Sequence, residues 1–313
     1  MVYNDKYFFD FATLKTADEA TKYYKVVFSK YESVARVYDL VELKASNTPF
    51  VLSYKATESN VFSPIRSSSA EINILYPYDA ATDVPEPIDF FTDSDYLTWK
   101  VRLIEVTDDG ATESLKWTGF LVESDIQYEW QDAFYYRLTA TDNIGVLKEV
   151  PYSDTDNFRM PMYVPMEGVS ISDFIIELVN LSGNPLNYKF ACTYKFDSTE
   201  YTLPEMFTSR YSALDWEKNT PLMCYDILKD LLTAIGCIIY QDNFYGTWNI
   251  VSVHEISTRT DNEVPFVEYD SAKAFVTTGN LEFLSSINTG STDLVWRDKN
   301  QIVTLNKSYT NVE

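Results

Sequence analysis

The chain has 313 residues, 45% hydrophobic and 16% aromatic, with 24 Tyr, 19 Phe and only 9 Gly; this excludes a disordered tail, allows two or three domains and leans towards sheet. A formal net charge of −22, from 47 acidic against 25 basic residues, excludes a nucleic-acid-binding surface over the whole chain, because such affinity comes from Lys and Arg displacing counterions. It suits solubility, and equally a wall past which DNA slides without adhering.

The first half reads as strands. "YYKVVFS" (Tyr23–Ser29), "RVYDLVEL" (Arg36–Leu43) and "FVLSYKA" (Phe50–Ala56) are short β-type runs between polar turns. "VFSPIRSSSAEINIL" (Val61–Leu75) follows. Pro64 and the hydroxyls of Ser67, Ser68 and Ser69 predict a turn whose serines bond nearby backbone groups. The strand after it sets Ile72 and Ile74 against Glu71, Asn73 and Leu75.

"YLTWKVRLIEV" places Leu97, Trp99, Val101 and Leu103 on one face and Thr98, Lys100 and Arg102 on the other. With the Asp109-Gly110 turn and "SLKWTGFLV" it predicts a hairpin. Gly119 inside the second strand marks a bulge or a close backbone approach. In "FYYRLTATDNIGVLKEVP", Phe134, Tyr136, Leu138 and Ala140 are expected to face the core. Asp142 is expected to N-cap a short helix that Pro151 ends.

The texture then changes. "SISDFIIELVNLSG" predicts a helix capped by Ser172 and Gly183, with apolar residues 174, 175, 178, 179 and 181 buried. "NTPLMCYDILKDLLTAIG" predicts a second, capped by Thr220, begun by Pro221 and ended by Gly236. Its buried stripe is Met223, Ile227, Leu228, Leu231 and Ile235. "CIIYQDNFYGTWNIVSV" reads as a hairpin, and Asn184 to Asn219 as loop-rich. From Glu255 the chain is polar and strand-like. Its final run predicts a strand that continues past Glu313.

Chemistry-bearing patterns are sparse. His254 is the single histidine, at a strand end, where a surface imidazole is expected. Cys192, Cys224 and Cys237 form neither a CxxC pair nor a zinc pattern, and their odd number points to a reducing compartment. No phosphate loop, dinucleotide fingerprint or GxSxG occurs. The acidic clusters Thr92–Asp95 and Ser153–Asn157 lack the Gly and distal Glu of a calcium loop. Trp117 and Trp248 are expected in the core; Trp130 and Trp216, in polar contexts, are candidates for partner contact. The start "MVYNDKYFFDF" has no signal-peptide order, and "LLTAIGCIIY" is too short to span a bilayer. No catalytic, cofactor-binding or metal-binding residue is therefore expected; partner-contacting residues cannot be singled out.

In order, "SPIRSSSAEINIL", "LKWTGFLVESDIQYEW", "YYRLTATDNIGVLKEVPY", "ISDFIIELVNLSG", "PLMCYDILKDLLTAIGCIIYQDNFYGTWNIVSV" and "QIVTLNKSYTNVE" resemble the tail-hub (baseplate-hub) proteins of tailed bacteriophages, particularly of Bacteroidetes-type hosts. The resemblance spans roughly residues 20 to 310 and lies in the order of the pieces. One departure is Asn143, where a Gly commonly follows the Asp. The resemblance implies a mainly β (α+β) fold: tail-tube-like barrel or sandwich domains with a small helix-containing insert. The implied organisation is a barrel-like tube domain over 1–150, an insert with two helices and a hairpin over 151–254, and a β segment over 255–313 that starts a further tube-like domain. It also implies a ring-forming, non-enzymatic virion protein, trimeric or hexameric. Its partners would be tube or adaptor rings, tip proteins and fibres; genomic DNA would pass through without specific binding or membrane insertion. Two rival readings are a distal-tail module that binds host glycan and a glycan hydrolase with paired carboxylates.

Overall fold

In the computed structural model, the described residues are 2–13, 22–56, 63–76, 97–107, 110–122, 127–129, 134–152, 168–196, 199–209, 214–215, 220–242, 245–254, 263–282 and 300–305. The fold is mainly β. The N-terminal half supplies β1 (Val2–Thr13), β2 (Lys22–Glu32), β3 (Val41–Glu42), β4 (Lys44–Ala56), β5 (Ile65–Tyr76), β6 (Trp99–Val106), β7 (Glu113–Leu121), β8 (Gln127–Glu129) and β9 (Phe134–Thr141). These pair in the order β4-β5-β9-β7-β6-β2-β1-β3. β3 lies parallel to β1 and runs straight into β4, while Leu43 N–H donates to the Phe8 carbonyl at 2.7 Å. The circle of strands thus closes on itself and removes most of its own edges.

Alternation fills this barrel as the strand period requires. Phe9 and Phe11, Val26 and Phe28, Ile72 and Ile74, Val101 and Leu103, and Leu138 and Ala140 all point into one core. Each fully buried Ile or Phe contributes about 1.5–3 kcal/mol. Phe50 meets Trp117 edge to face, with ring centroids 5.8 Å apart. β7 departs from simple alternation: Lys116, Thr118 and Phe120 are buried as well as Trp117, Thr118 under Asn184 of the second half, Lys116 against Glu105 of β6 and Phe120 beside Tyr3 of β1.

After β9 a 3-10 turn (Ile144–Lys148) leads to β10 (Val169–Ser170) and helix α1 (Ile171–Asn180). Then come β11 (Tyr188–Ala191), β12 (Thr193–Phe196), β13 (Thr199–Thr202), β14 (Phe207–Thr208), β15 (Leu214–Asp215) and β16 (Thr220–Pro221). Helix α2 (Cys224–Ala234) precedes β17 (Cys237–Gln241), β18 (Trp248–Ser252), β19 (Glu263–Tyr269), β20 (Phe275–Glu282) and β21 (Asn300–Leu305). The order β20-β19-β11-β18-β17 joins the barrel where Ile239 and Tyr240 of β17 pair in parallel with Ile65 and Arg66 of β5. β21 pairs antiparallel with β4. Both helices pack on one face of this second sheet, Phe174, Ile175, Leu228 and Leu232 meeting Phe190, Ile239, Trp248 and Ile250. The opposite face holds Ile238, Tyr240, Val251, Val264 and Phe266.

Several expectations hold in detail. The hairpin β6–β7 turns through Gly110 at φ 68°, and β17–β18 turns through Gly246 at φ 62°. Gly183 and Gly236 adopt the left-handed region expected after each helix. Others are corrected. Arg36–Leu43 is strand only at Val41–Glu42; the Asn4 side chain instead holds residues 34–36, donating to the Val34 carbonyl at 3.0 Å and accepting from Arg36 N–H at 2.9 Å. Ser67, Ser68 and Ser69 lie inside β5, paired with Lys55, Tyr54 and Ser53, so the hydroxyl-rich run is strand and not turn. α1 starts two residues earlier than expected, with Ser170 and not Ser172 as its flanking residue; Ser172 is buried in the first turn and its hydroxyl lies 2.8 Å from that of Ser170. Leu181 is exposed, because the helix has already ended. Thr220 and Pro221 pair with Leu214 and Asp215 as strand, and α2 begins at Cys224, leaving Met223 exposed and adding Leu232 to the stripe.

Candidate functional site

A polar cluster sits where β5, β7 and β9 meet the helix-bearing half. Asp142, at the end of β9, is 1% exposed. Its carboxylate accepts from Ser68 N–H at 2.5 Å, from the Ser68 hydroxyl at 2.8 Å and from Ile144 N–H at 3.1 Å. The expected capping role is thus partly realised: the carboxylate does accept from the first turn of the 3-10 segment, but Asn143 is the flanking residue and the main partner is Ser68. The Ser68 hydroxyl in turn accepts from the Trp117 indole N–H at 2.9 Å. Burial pushes the Asp142 carboxyl up to about 6, against the three donors that pull it down.

The same junction continues on its far side. Asn184 donates to the Thr118 carbonyl at 3.2 Å and to the Asp142 carbonyl at 3.4 Å, and its own carbonyl accepts from the Trp248 indole at 3.1 Å. Asn143 stands at φ 67° and donates to the Ser182 carbonyl at 2.6 Å. That left-handed backbone explains why a Gly fits the position: Gly takes φ > 0 without strain, and Asn is among the few side chains that tolerate it. Gly119 packs against the Thr141 carbonyl, and a methyl group there would collide with that carbonyl and the Trp117 ring. The glycine is required by close approach, as its place in the strand suggested.

Chemically this arrangement fastens strands together: the Ser68 hydroxyl is engaged on both sides, donating to the Asp142 carboxylate and accepting from the Trp117 indole. His254 is exposed just beyond β18. Trp117 and Trp248 are core, each with its indole N–H bonded. Trp130, Trp216 and the clusters Thr92–Asp95 and Ser153–Asn157 lie outside the described residues. The three cysteines are buried thiols; burial pushes Cys224 up to about 11. Among the described residues no group of three or more His, Cys, Asp or Glu is gathered as for a metal, and no helix is long and apolar enough to cross a membrane.

The Asp142–Ser68 link was not readable from either stretch alone. The signal that does point to it is coincidence: Ser68, Trp117, Asp142 and Trp248 come from four separate motifs of the hub-like series, and all four meet here or one residue away.

No protein-family model matches the chain, and no curated protein matches it. Among solved structures, the tail protein from Neisseria meningitidis MC58 is similar with a TM-score of 0.33 and 11% identity, over 64% of this chain and 44% of that one. The chain therefore spans less than half the length of that protein, and the likeness is too distant to assign a fold or a function.

Proposed function

We propose that the chain is a structural subunit of a bacteriophage tail: a ring-forming hub around the DNA channel that joins tube or adaptor rings to tip and fibre proteins. One observation carries this reading. Residues of the hub-like motif series brace the barrel, Trp117 through Ser68 to Asp142, and join it to the helical half, Trp248 through Asn184 to Thr118. Such residues serve construction and not chemistry, so the reading carries no enzymatic activity. The net charge of −22 suits a channel wall, since fixed negative charge keeps a polyanion from adhering. In this reading the protein is made in the host cytoplasm and ends in the virion tail.

Negative-stain electron microscopy of the purified chain tests it. Class averages with three- or six-fold symmetry and an open centre are expected. Monomers at every concentration, in the presence and absence of the other tail proteins, would sink the reading.

A further inference from the structure

Residues 33–40 form a strap beside β1. It is held by its backbone and by Tyr38. The Tyr38 hydroxyl donates to the Glu32 carboxylate at 2.9 Å, the Lys6 ammonium lies 3.2 Å from the same carboxylate and 2.8 Å from the Tyr38 ring centre, and Asn4 grips the backbone at Val34 and Arg36. Its apolar side chains are open to solvent: Val34 is 58% exposed, Leu40 41% and Val37 completely, and Val37 and Leu40 also line the mouth of the cleft below. A strap held this firmly with its hydrophobes in water is the pattern of a surface awaiting a partner.

Beneath the strap is a cleft of about 490 Å³ between β1, β2 and β6. Its charges are Asp5, Arg36, Lys100 and Arg102. Asp5 is engaged by Arg102 and by the Ser29 hydroxyl, each at 2.6 Å, and Arg36 lies against Tyr38 and Glu32. Lys100 has aromatic neighbours, Tyr3 and Phe120, with ring centres 5.7 and 5.9 Å from its ammonium. It has no carboxylate partner among the described residues. Burial, with repulsion from Arg102, lowers it to about 8. A half-buried cation without a counter-ion is stabilised by an incoming carboxylate.

The other terminus of the strand order offers the complement. β20 pairs only with β19 among the described strands. At its start Phe275 is 62% exposed and Val276 44%. Beside them, at the hairpin tip, is the carboxylate of Asp270, which holds the turn by accepting from Ala272 N–H and Ala274 N–H. One end of the strand order thus carries a cation flanked by exposed aliphatics, and the other an acid flanked by exposed apolar side chains.

We propose that the strap and the Lys100 cleft of one copy receive the β19–β20 hairpin tip of a second copy, with Val37 and Leu40 against Phe275 and Val276 and Lys100 towards Asp270. The contact is heterologous, head to tail, and such contacts close into rings when the rotation permits. This inference rests on the ring-forming reading and names the surfaces that would build the ring.

The test uses the full chain and two variants, Val37→Asp and Phe275→Asp, whose altered side chains are exposed and leave the core intact; circular dichroism checks their folding. Sedimentation velocity reads assembly. Wild type is expected to form closed oligomers, and each variant alone to weaken association at least tenfold. An equimolar mixture is expected to give heterodimers that stop there, because each variant retains one competent end. Lys100→Glu is expected to weaken wild-type assembly as well, and carbodiimide coupling of isotopically mixed copies to join Lys100 to Asp270 between copies. If wild type forms rings but both variants assemble as it does, the assigned surfaces are wrong while the ring reading stands. If both variants fail and their mixture gives no dimer, the contact is not head to tail. Wild type that stays monomeric overturns both.

Discussion

Asp142 and Ser68 stand 74 residues apart in the chain and share two hydrogen bonds, both to one carboxylate oxygen. Through them the end of β9 is fixed to the middle of β5, and through Trp117 to β7 as well. Three strands of the barrel and the first turn of the helical half therefore depend on one carboxylate.

The balance at Asp142 is measurable by pH. Its folded value, about 6, lies above the ordinary value near 4. Between these values the unfolded chain has already released a proton that the folded chain keeps. Stability contributed by this group is thus fully present below about pH 4 and is lost as pH rises to about 6, by up to roughly 3 kcal/mol. Urea titrations of wild type and Asp142→Asn from pH 4 to 7 isolate this effect, because the other carboxylates cancel. The advantage of wild type over the variant should shrink over that window and then level. A growing advantage would mean that the three donors outweigh burial.

Gly119→Ala should be severely destabilising. The added methyl meets the Trp117 ring and the Thr141 carbonyl, and both are held, the ring by Ser68 and the backbone by the sheet. Overpacking of this kind costs about 1–3 kcal/mol or more. Chemical denaturation should show the loss, and Gly145→Ala, with open space at its Cβ, is the control.

Asn143 separates backbone strain from hydrogen bonding. Asn143→Ala loses the bond to the Ser182 carbonyl and puts a Cβ-bearing residue with no polar side chain at φ 67°, for a combined cost of about 2 kcal/mol. Asn143→Gly loses the bond but relieves the backbone, so its midpoint should lie within about 0.5 kcal/mol of wild type. Equal losses in the two variants would mean that the side-chain bond alone matters.

The thiols should be inert in the folded protein. Cys192, Cys224 and Cys237 are all buried, and Cys224 is pushed up to about 11, far from thiolate formation at neutral pH. Labelling with a chromogenic disulfide reagent should be slow without denaturant and rapid in its presence. Fast native labelling of any of the three would show that the second core opens locally.

Local pattern determined much of this molecule. Period-two alternation in "YLTWKVRLIEV" and "EINI" correctly separates Trp99, Val101, Leu103, Ile72 and Ile74 from their polar neighbours. Glycines at positions 110, 183, 236 and 246 mark the turns, because only their backbone takes positive φ freely. Both helices are legible from their stripes. Tertiary structure decided the rest. The serine run reads as turn from composition, yet β4 and β9 pair with it on either side and make it strand. Arg36–Leu43 has strand propensity, yet Asn4 binds its backbone in a strap before a ladder can form. Thr220 and Pro221 look like a helix start, yet β15 claims them. The Asp142–Ser68–Trp117 junction, and Lys100 without a carboxylate partner among the described residues, are equally invisible along the chain. In each case the deciding partner lies outside the stretch itself, from a neighbouring strand a few residues away for Thr220 and Pro221 to Asp142 for Ser68, and a backbone hydrogen bond or a buried charge outweighs the few tenths of a kilocalorie that separate local propensities.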